Sequence, residues 1–323
     1  MVISQLPANL INTIGTVRGS FSLIFMIAAT ALAAGPVTPT VYRSTDRGRT
    51  WSRSDLGLAG NPRVNAFAQT GGTTLAGTDA GIFLSYDQGR HWLRATSAGK
   101  ITSLATNSDR SYAGTDRQGL LSSSDVGKTW SVVPNFPARN IRSLLAHEGK
   151  IYAGTDADGI LMSTNQGQTW TPTNSGLPPS SQIFTLSVAH GRIFAGLYAK
   201  GLWVWNDLRQ GWTRQGTLTP LVLTSVTDTL IAGLNPGGLY ASDNAGQDWR
   251  RATGSEPAPG APVWAAASAG GLTFAGAANG IYFSEDQART WHRSITGLEP
   301  DTPGIAFHIQ PGFVLAATLI KTP

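Results

Sequence analysis

The sequence predicts an all-β fold: a seven-bladed β-propeller of four-stranded antiparallel blades, its ring closed by pairing the N- and C-terminal strands. Three observations carry this. A turn of the pattern Ser-x-Asp-x-Gly-x-Thr-Trp recurs seven times, at intervals of about forty residues. A small residue follows the start of each apolar strand at a constant distance. The chain begins in the middle of one repeat and ends in the middle of another.

The boxes run Ser44 to Trp51, Ser85 to Trp92, Ser123 to Trp130, Ser163 to Trp170, Trp205 to Trp212, Ser242 to Trp249 and Ser284 to Trp291. The sixth has Asn244 in place of Asp, and the fifth keeps only Asp207 and Trp212. Such a box suits a tight turn between the third and fourth strands of a blade. Its carboxylate accepts turn N–H groups, its Gly supplies positive φ, and its hydroxyl adds a local bond. Its Trp is a large apolar group to bury between blades, with an indole N–H that needs a partner.

Apolar strand starts fall at Val64, Ile101, Ile141, Ile183, Leu221, Val263 and Ile305. Small residues follow twelve or thirteen positions later, at Gly77, Gly114, Gly154, Gly196, Gly233, Gly276 and Ala317. In the repeat after the first box this spacing places strands at Val64–Thr70, Thr73–Thr78, Gly81–Ser85 and Trp92–Ala95. Ile305–Leu319 then supplies the first two strands of a blade and Thr40–Ser54 the last two. Pairing them leaves no open edge.

The domain reading is a leader over residues 1–34 and a single propeller over 35–323. The leader has no acidic residue, one Arg18, an apolar run from Phe21 to Ala34, and Ala31-x-Ala33 before Gly35-Pro36. This is the pattern of a signal peptide, or of an N-terminal membrane anchor, and predicts an extracytoplasmic location. The chain has no cysteine, which excludes disulfides and thiolate metal sites. Nineteen of its 24 basic residues are Arg, which suits carboxylate or phosphate partners. They are scattered, and the basic stripe expected for nucleic-acid binding is missing. The five His lack ligand spacing, so no metal or other cofactor is expected. A monomer is expected.

The boxes resemble the Asp boxes, or BNR repeats, of sialidases, sortilin-type receptors, large xyloglucan hydrolases and photosystem II assembly or stability factors. The likeness spans essentially all of the propeller. It implies that the boxes are structural and lie on the face opposite the functional one. A sialidase also carries an Arg-Ile-Pro segment before the first box, an arginine triad and a Tyr/Glu pair. Here that segment reads Gly-Pro-Val-Thr-Pro-Thr-Val-Tyr-Arg-Ser, and Tyr198 is the one tyrosine on the candidate face. A sialidase is therefore not expected.

Two groups of candidate binding residues fall opposite the boxes. Turns after second strands present Asp116, Asp156, Asp158, Tyr198 and Lys200. The mouth of the central channel should carry Arg63 and Lys100 just before inner strands, and Arg142, Phe184 and Trp264 one residue inside them. Cations beside aromatic rings at one opening suit recognition of a protein segment or a glycan. The likeness to assembly factors implies a non-catalytic binding role. The alternative is a carbohydrate-active enzyme, a glycoside hydrolase or lyase, using the carboxylates from Asp116 to Asp158 as a pair.

Overall fold

The computed structural model describes residues 37–321, apart from Glu256 and Pro259. The expected leader lies outside the described residues. No α-helix occurs among them; seven antiparallel sheets form a ring. Numbered by their boxes, blade 1 is the composite: Gly304–Gln310 and Phe313–Lys321 continue through Val37–Ser44 to Ser52–Arg53. Eight consecutive residue pairs, from Val37 with Lys321 to Ser44 with Val314, join the two ends of the chain antiparallel. Blades 2 to 7 follow in chain order from inner to outer strand. In blade 2 the strands are Val64–Thr70, Thr73–Thr78, Gly81–Ser85 and Leu93–Thr96, so only the fourth is displaced from expectation, by one residue.

The constant spacing has a steric cause. A Cβ added at Gly77, Gly114, Gly154 or Gly233 would stand 2.6 Å from a methyl of Ile101, Ile141, Ile183 or Val263, the first residue of the next blade's inner strand. Each glycine is thus a socket for a β-branched plug. Two strand starts are corrected by one position: blade 6 begins at Pro220 and blade 1 at Gly304. With these starts the spacing is thirteen residues at all seven blades. Gly196 then receives Pro220, and Gly276 packs on the backbone of Gly304.

The boxes fold as their composition requires. In blade 3 Ser123 Oγ accepts from Gly127 N–H and donates to Asp125, which in turn accepts from the Thr129 amide (2.9 Å) and hydroxyl (2.6 Å). Asn165 and Asn244 take the same place in blades 4 and 6. The Thr129 bonds lead in holding Asp125 at about 2. At Asp46, Asp87 and Asp286 burial pushes the pKa up, but the box hydrogen bonds outweigh it and the result is also about 2.

The seams between blades are of two kinds. After blades 1, 4 and 7 the chain makes a turn whose third residue is Gly57, Gly176 or Gly297, in the left-handed region. The turn closes by Leu58, Leu177 and Leu298 amides donating to Asp55, Asn174 and Ile295 carbonyls. Its outward carbonyl, on Leu56, Ser175 or Thr296, accepts from the amide of the next box Trp: Trp92 (2.9 Å), Trp212 (2.8 Å) or Trp51 (3.0 Å). A Cβ on any of the three glycines would lie about 2 Å from that Trp carbonyl, so only Gly permits the approach. After blade 6, Thr253–Gly254 clasps blade 7 as a fifth, parallel strand, and Ser255 donates to Trp291 O.

Clasping decides tryptophan burial. Trp51, Trp92, Trp212 and Trp291 are at most 6 % exposed, whereas Trp130, Trp170 and Trp249 are only half-buried. The indole N–H groups of Trp51, Trp92 and Trp212 reach Ser294, Ser54 and Thr173 of the preceding blade. Those of the half-buried three return to the Gly carbonyl of their own box. Connections of nine to eleven residues clasp, and those of four to eight do not. In the eight-residue case Asn135, not glycine, holds the left-handed position.

Gly57→Ala and Gly60→Ala separate conformation from contact, because Gly60 shares the left-handed φ but has nothing within 4 Å of its added Cβ. Urea unfolding should show a loss of about 1 kcal/mol for Gly60→Ala and about 2–4 kcal/mol for Gly57→Ala. The box carboxylates also predict acid sensitivity. Their folded values of about 2 lie below the ordinary 3.8, so their stabilisation is complete above that value and lost as pH falls to about 2. Melting temperature should therefore fall most steeply between about pH 4 and pH 2.

Candidate functional site

The site is built by a distortion repeated in every blade. Each inner strand carries a β-bulge at its second residue, which shifts the register between, for example, Ile141 and Ser143. The bulged residues are Asn65, Thr102, Arg142, Phe184, Leu221, Trp264 and Ile305. Bulges at the rim of a closed sheet re-aim side chains. The sequence singled out Arg142, Phe184 and Trp264 of these seven.

The two groups of expected residues are brought together. In blades 2 to 5 the amide after the second strand donates to the carbonyl just before the same blade's inner strand: Asp79 to Arg63 (3.0 Å), Asp116 to Lys100 (3.1 Å), Asp156 to Asn140 (3.2 Å) and Tyr198 to Gln182 (3.0 Å). Turn and strand entrance therefore form one rim, at the end of the blades opposite the boxes.

Charge on this rim is concentrated on blades 2 to 4, where each blade sets a cation beside a carboxylate. Burial lowers the pKa of Arg63 and the Asp79 charge opposes that shift. Lys100 Nζ stands 3.9 Å from Asp116. Arg142 makes a fork to Asp156, through Nε to Oδ1 and through Nη2 to Oδ2 at 3.1 Å, with side chains 11 % and 14 % exposed. Asn65, which sequence reasoning missed, donates to Asp79 (2.7 Å) and to Ile101 O (2.9 Å), joining blade 2 to blade 3. Its only signal was its position one residue inside an inner strand.

Blade 5 continues the rim in aromatic form. The Arg142 guanidinium carbon lies 5.4 Å from the Phe184 ring centroid. Phe184 is stacked on Tyr198 with centroids 5.1 Å apart. Phe184 is buried and Tyr198 is 38 % exposed, so the ladder Asp156–Arg142–Phe184–Tyr198 rises from a partly buried ion pair to an open ring face. Beyond it the bulge positions are apolar: Leu221, Trp264 and Ile305. Trp264 is 8 % exposed, and its indole N–H has no partner among the described residues.

Two expected residues have other positions. Lys200 Nζ donates to Pro179 O (2.5 Å) and Ser180 O (3.0 Å), pinning the loop before blade 5. Asp158 is exposed, while its main chain is held by Thr155 and Asn174. No cluster of His, Asp and Glu among the described residues is placed to hold a metal ion.

With this geometry in hand, a BNR/Asp-box repeat model matches residues 42–53, the first box and its flanks. The chain is a seven-bladed propeller that carries a BNR/Asp-box repeat. It is similar to YCF48 from Cyanidioschyzon merolae, at 15 % identity and a TM-score of 0.62 over 81 % of this chain and 96 % of that one. A structure of YCF48 bound to D1 peptide matches at 16 % identity and 0.62, over 90 % and 97 %. The GH74 xyloglucanase from Xanthomonas campestris matches at 16 % identity and a TM-score of 0.63, over 88 % of this chain and 56 % of that one. No curated protein matches by sequence.

The Arg142–Asp156 fork is largely withdrawn from water, so breaking it should be read in stability. Arg142→Gln should cost about 2–4 kcal/mol in urea unfolding by stranding a carboxylate, and adding Asp156→Asn should restore most of that loss.

Proposed function

We propose that this propeller is an exported, non-catalytic binding protein that recognises an extended protein segment at the channel mouth, in a role like that of an assembly factor. The observation that carries this reading is the ladder from Arg142 through Phe184 to the open face of Tyr198. A rigid aromatic backed by packed neighbours is the kind of group that dominates protein interfaces. The paired charges of blades 2 to 4 beside it would orient a segment without a net field. The likeness to YCF48 with a bound D1 peptide supports a peptide ligand over a glycan. The 1–34 segment, read as a leader, supports a location outside the cytoplasm.

The carbohydrate-active reading has the xyloglucanase likeness behind it, but that match spans just over half of the enzyme. The carboxylates it would use are engaged or apart: Asp156 is forked by Arg142, Asp116 stands beside Lys100, and Asp158 is exposed. A carboxylate neutralised by a fixed cation is a poor general acid.

Peptides selected from a displayed library against the folded propeller test the proposal. Their affinity, read by fluorescence anisotropy, should fall about tenfold for Tyr198→Ala. Tyr86→Ala on the box face should leave it unchanged. Equal binding to wild type and Tyr198→Ala would reject the mouth as the recognition surface.

A further inference from the structure

The seam between blades 2 and 3 has the shortest connection in the ring. Residues 97–100 are too few to turn outward and return, and among the described residues no backbone carbonyl accepts from the amide of Trp130. After blade 3, by contrast, Phe136 packs edge-on against Trp170 at 5.0 Å and closes that seam. Beside Trp130 the buried cluster of Ile82, Ile101, Ala113 and Leu121 is covered by Leu104 of the inner strand and, from the outermost strand and the connection, by only the small Ala95 and Ala98. At clasped seams a leucine fills this role: Leu58 is 5 % exposed, and Leu177 and Leu298 pack on the core clusters of their seams.

A second observation falls on the same two blades. Eight large hydrophobic side chains are exposed among the described residues, and four belong to the boxes or outermost strands of blades 2 and 3. Leu93 (58 %) and Val132 (59 %) lie on the two outermost strands, and Tyr86 and Val126 on the adjoining boxes. The open amide of Trp130 thus lies among unburied apolar groups.

We propose that this seam is a docking site for a partner protein's turn of the form x-Gly-Leu, which supplies the missing clasp. The template is in the chain itself: Leu56-Gly57-Leu58, Ser175-Gly176-Leu177 and Thr296-Gly297-Leu298 occupy the equivalent place at three seams. The incoming carbonyl before Gly accepts from Trp130 N–H. The Gly permits contact with the Trp130 carbonyl, and the Leu covers the cluster beside Ala95 and Ala98. Leu93 and Val132 flank the segment. This surface lies on the outer rim and is independent of the channel mouth. Strand or turn addition of this kind draws affinity from main-chain bonds and specificity from side-chain pockets.

A synthetic nonapeptide copying residues 53–61, titrated into the full chain, is the direct test. Hydrogen exchange should slow at Trp130 and its neighbours on saturation. The same peptide with Gly57→Ala should lose binding, because its Cβ meets the Trp carbonyl. Leu93→Asp with Val132→Asp, both exposed and checked for an unchanged melting temperature, should weaken binding about tenfold. Absence of saturable binding, equal binding by the alanine peptide, or protection appearing at another seam would overturn the proposal.

Discussion

The ring depends on one contact repeated around it: at five of the seven seams a β-branched or cyclic side chain at the head of an inner strand is seated on a glycine of the preceding blade's second strand. Blades in a propeller share no hydrogen-bonded ladder, so their angle is set by how closely one sheet face approaches the next. A Cβ at the glycine would force Ile141 or Ile183 outward. In a closed ring a displacement at one seam must be absorbed by the others. Interiors packed to crystal density transmit such strain instead of absorbing it.

The clasps work at the opposite radius. The sockets fix the inner edges, while the x-Gly-Leu turns fix the outer ones by holding the next box Trp through its amide. The result is uneven. Blades 6, 7, 1 and 2 form a clasped run that contains the joint between the chain termini. Blades 2 to 4 are held chiefly from within, and these same blades carry the paired charges of the mouth. The paired charges therefore lie on the part of the ring with the least outer restraint, while Phe184 and Tyr198 stand on blade 5, which is clasped to blade 4.

Pairing governs the chemistry of the mouth. Three cations at the strand entrances would by themselves form a strongly positive field. Each instead has a carboxylate of its own blade brought beside it by the amide-to-carbonyl bond between turn and entrance. What remains for a ligand is directional: alternating charges on one side, the Phe184–Tyr198 stack next to them, and apolar bulge residues beyond. Such a surface suits a segment read by shape and by its own pattern of charge.

The local repeat determined most of the fold. Box chemistry, the socket glycine and the split first blade are all short-range patterns, and they yielded the blade number, the strand bounds and the closure. Leu221 and Ile305 resemble strand starts because the bulge puts an apolar residue directly after the true starts, Pro220 and Gly304, and composition alone does not separate the two. The mouth was legible as two sets of residues but not as one rim. The pairing of Asp156 with Arg142, the stacking of Tyr198 on Phe184 and the retreat of Lys200 to a loop depend on contacts between residues 14 to 21 positions apart, across bulges the sequence does not announce. The seven tryptophans likewise look equivalent in the sequence. Whether each is buried depends on whether the preceding connection is long enough, and carries a glycine in the right place, to reach across to the next blade.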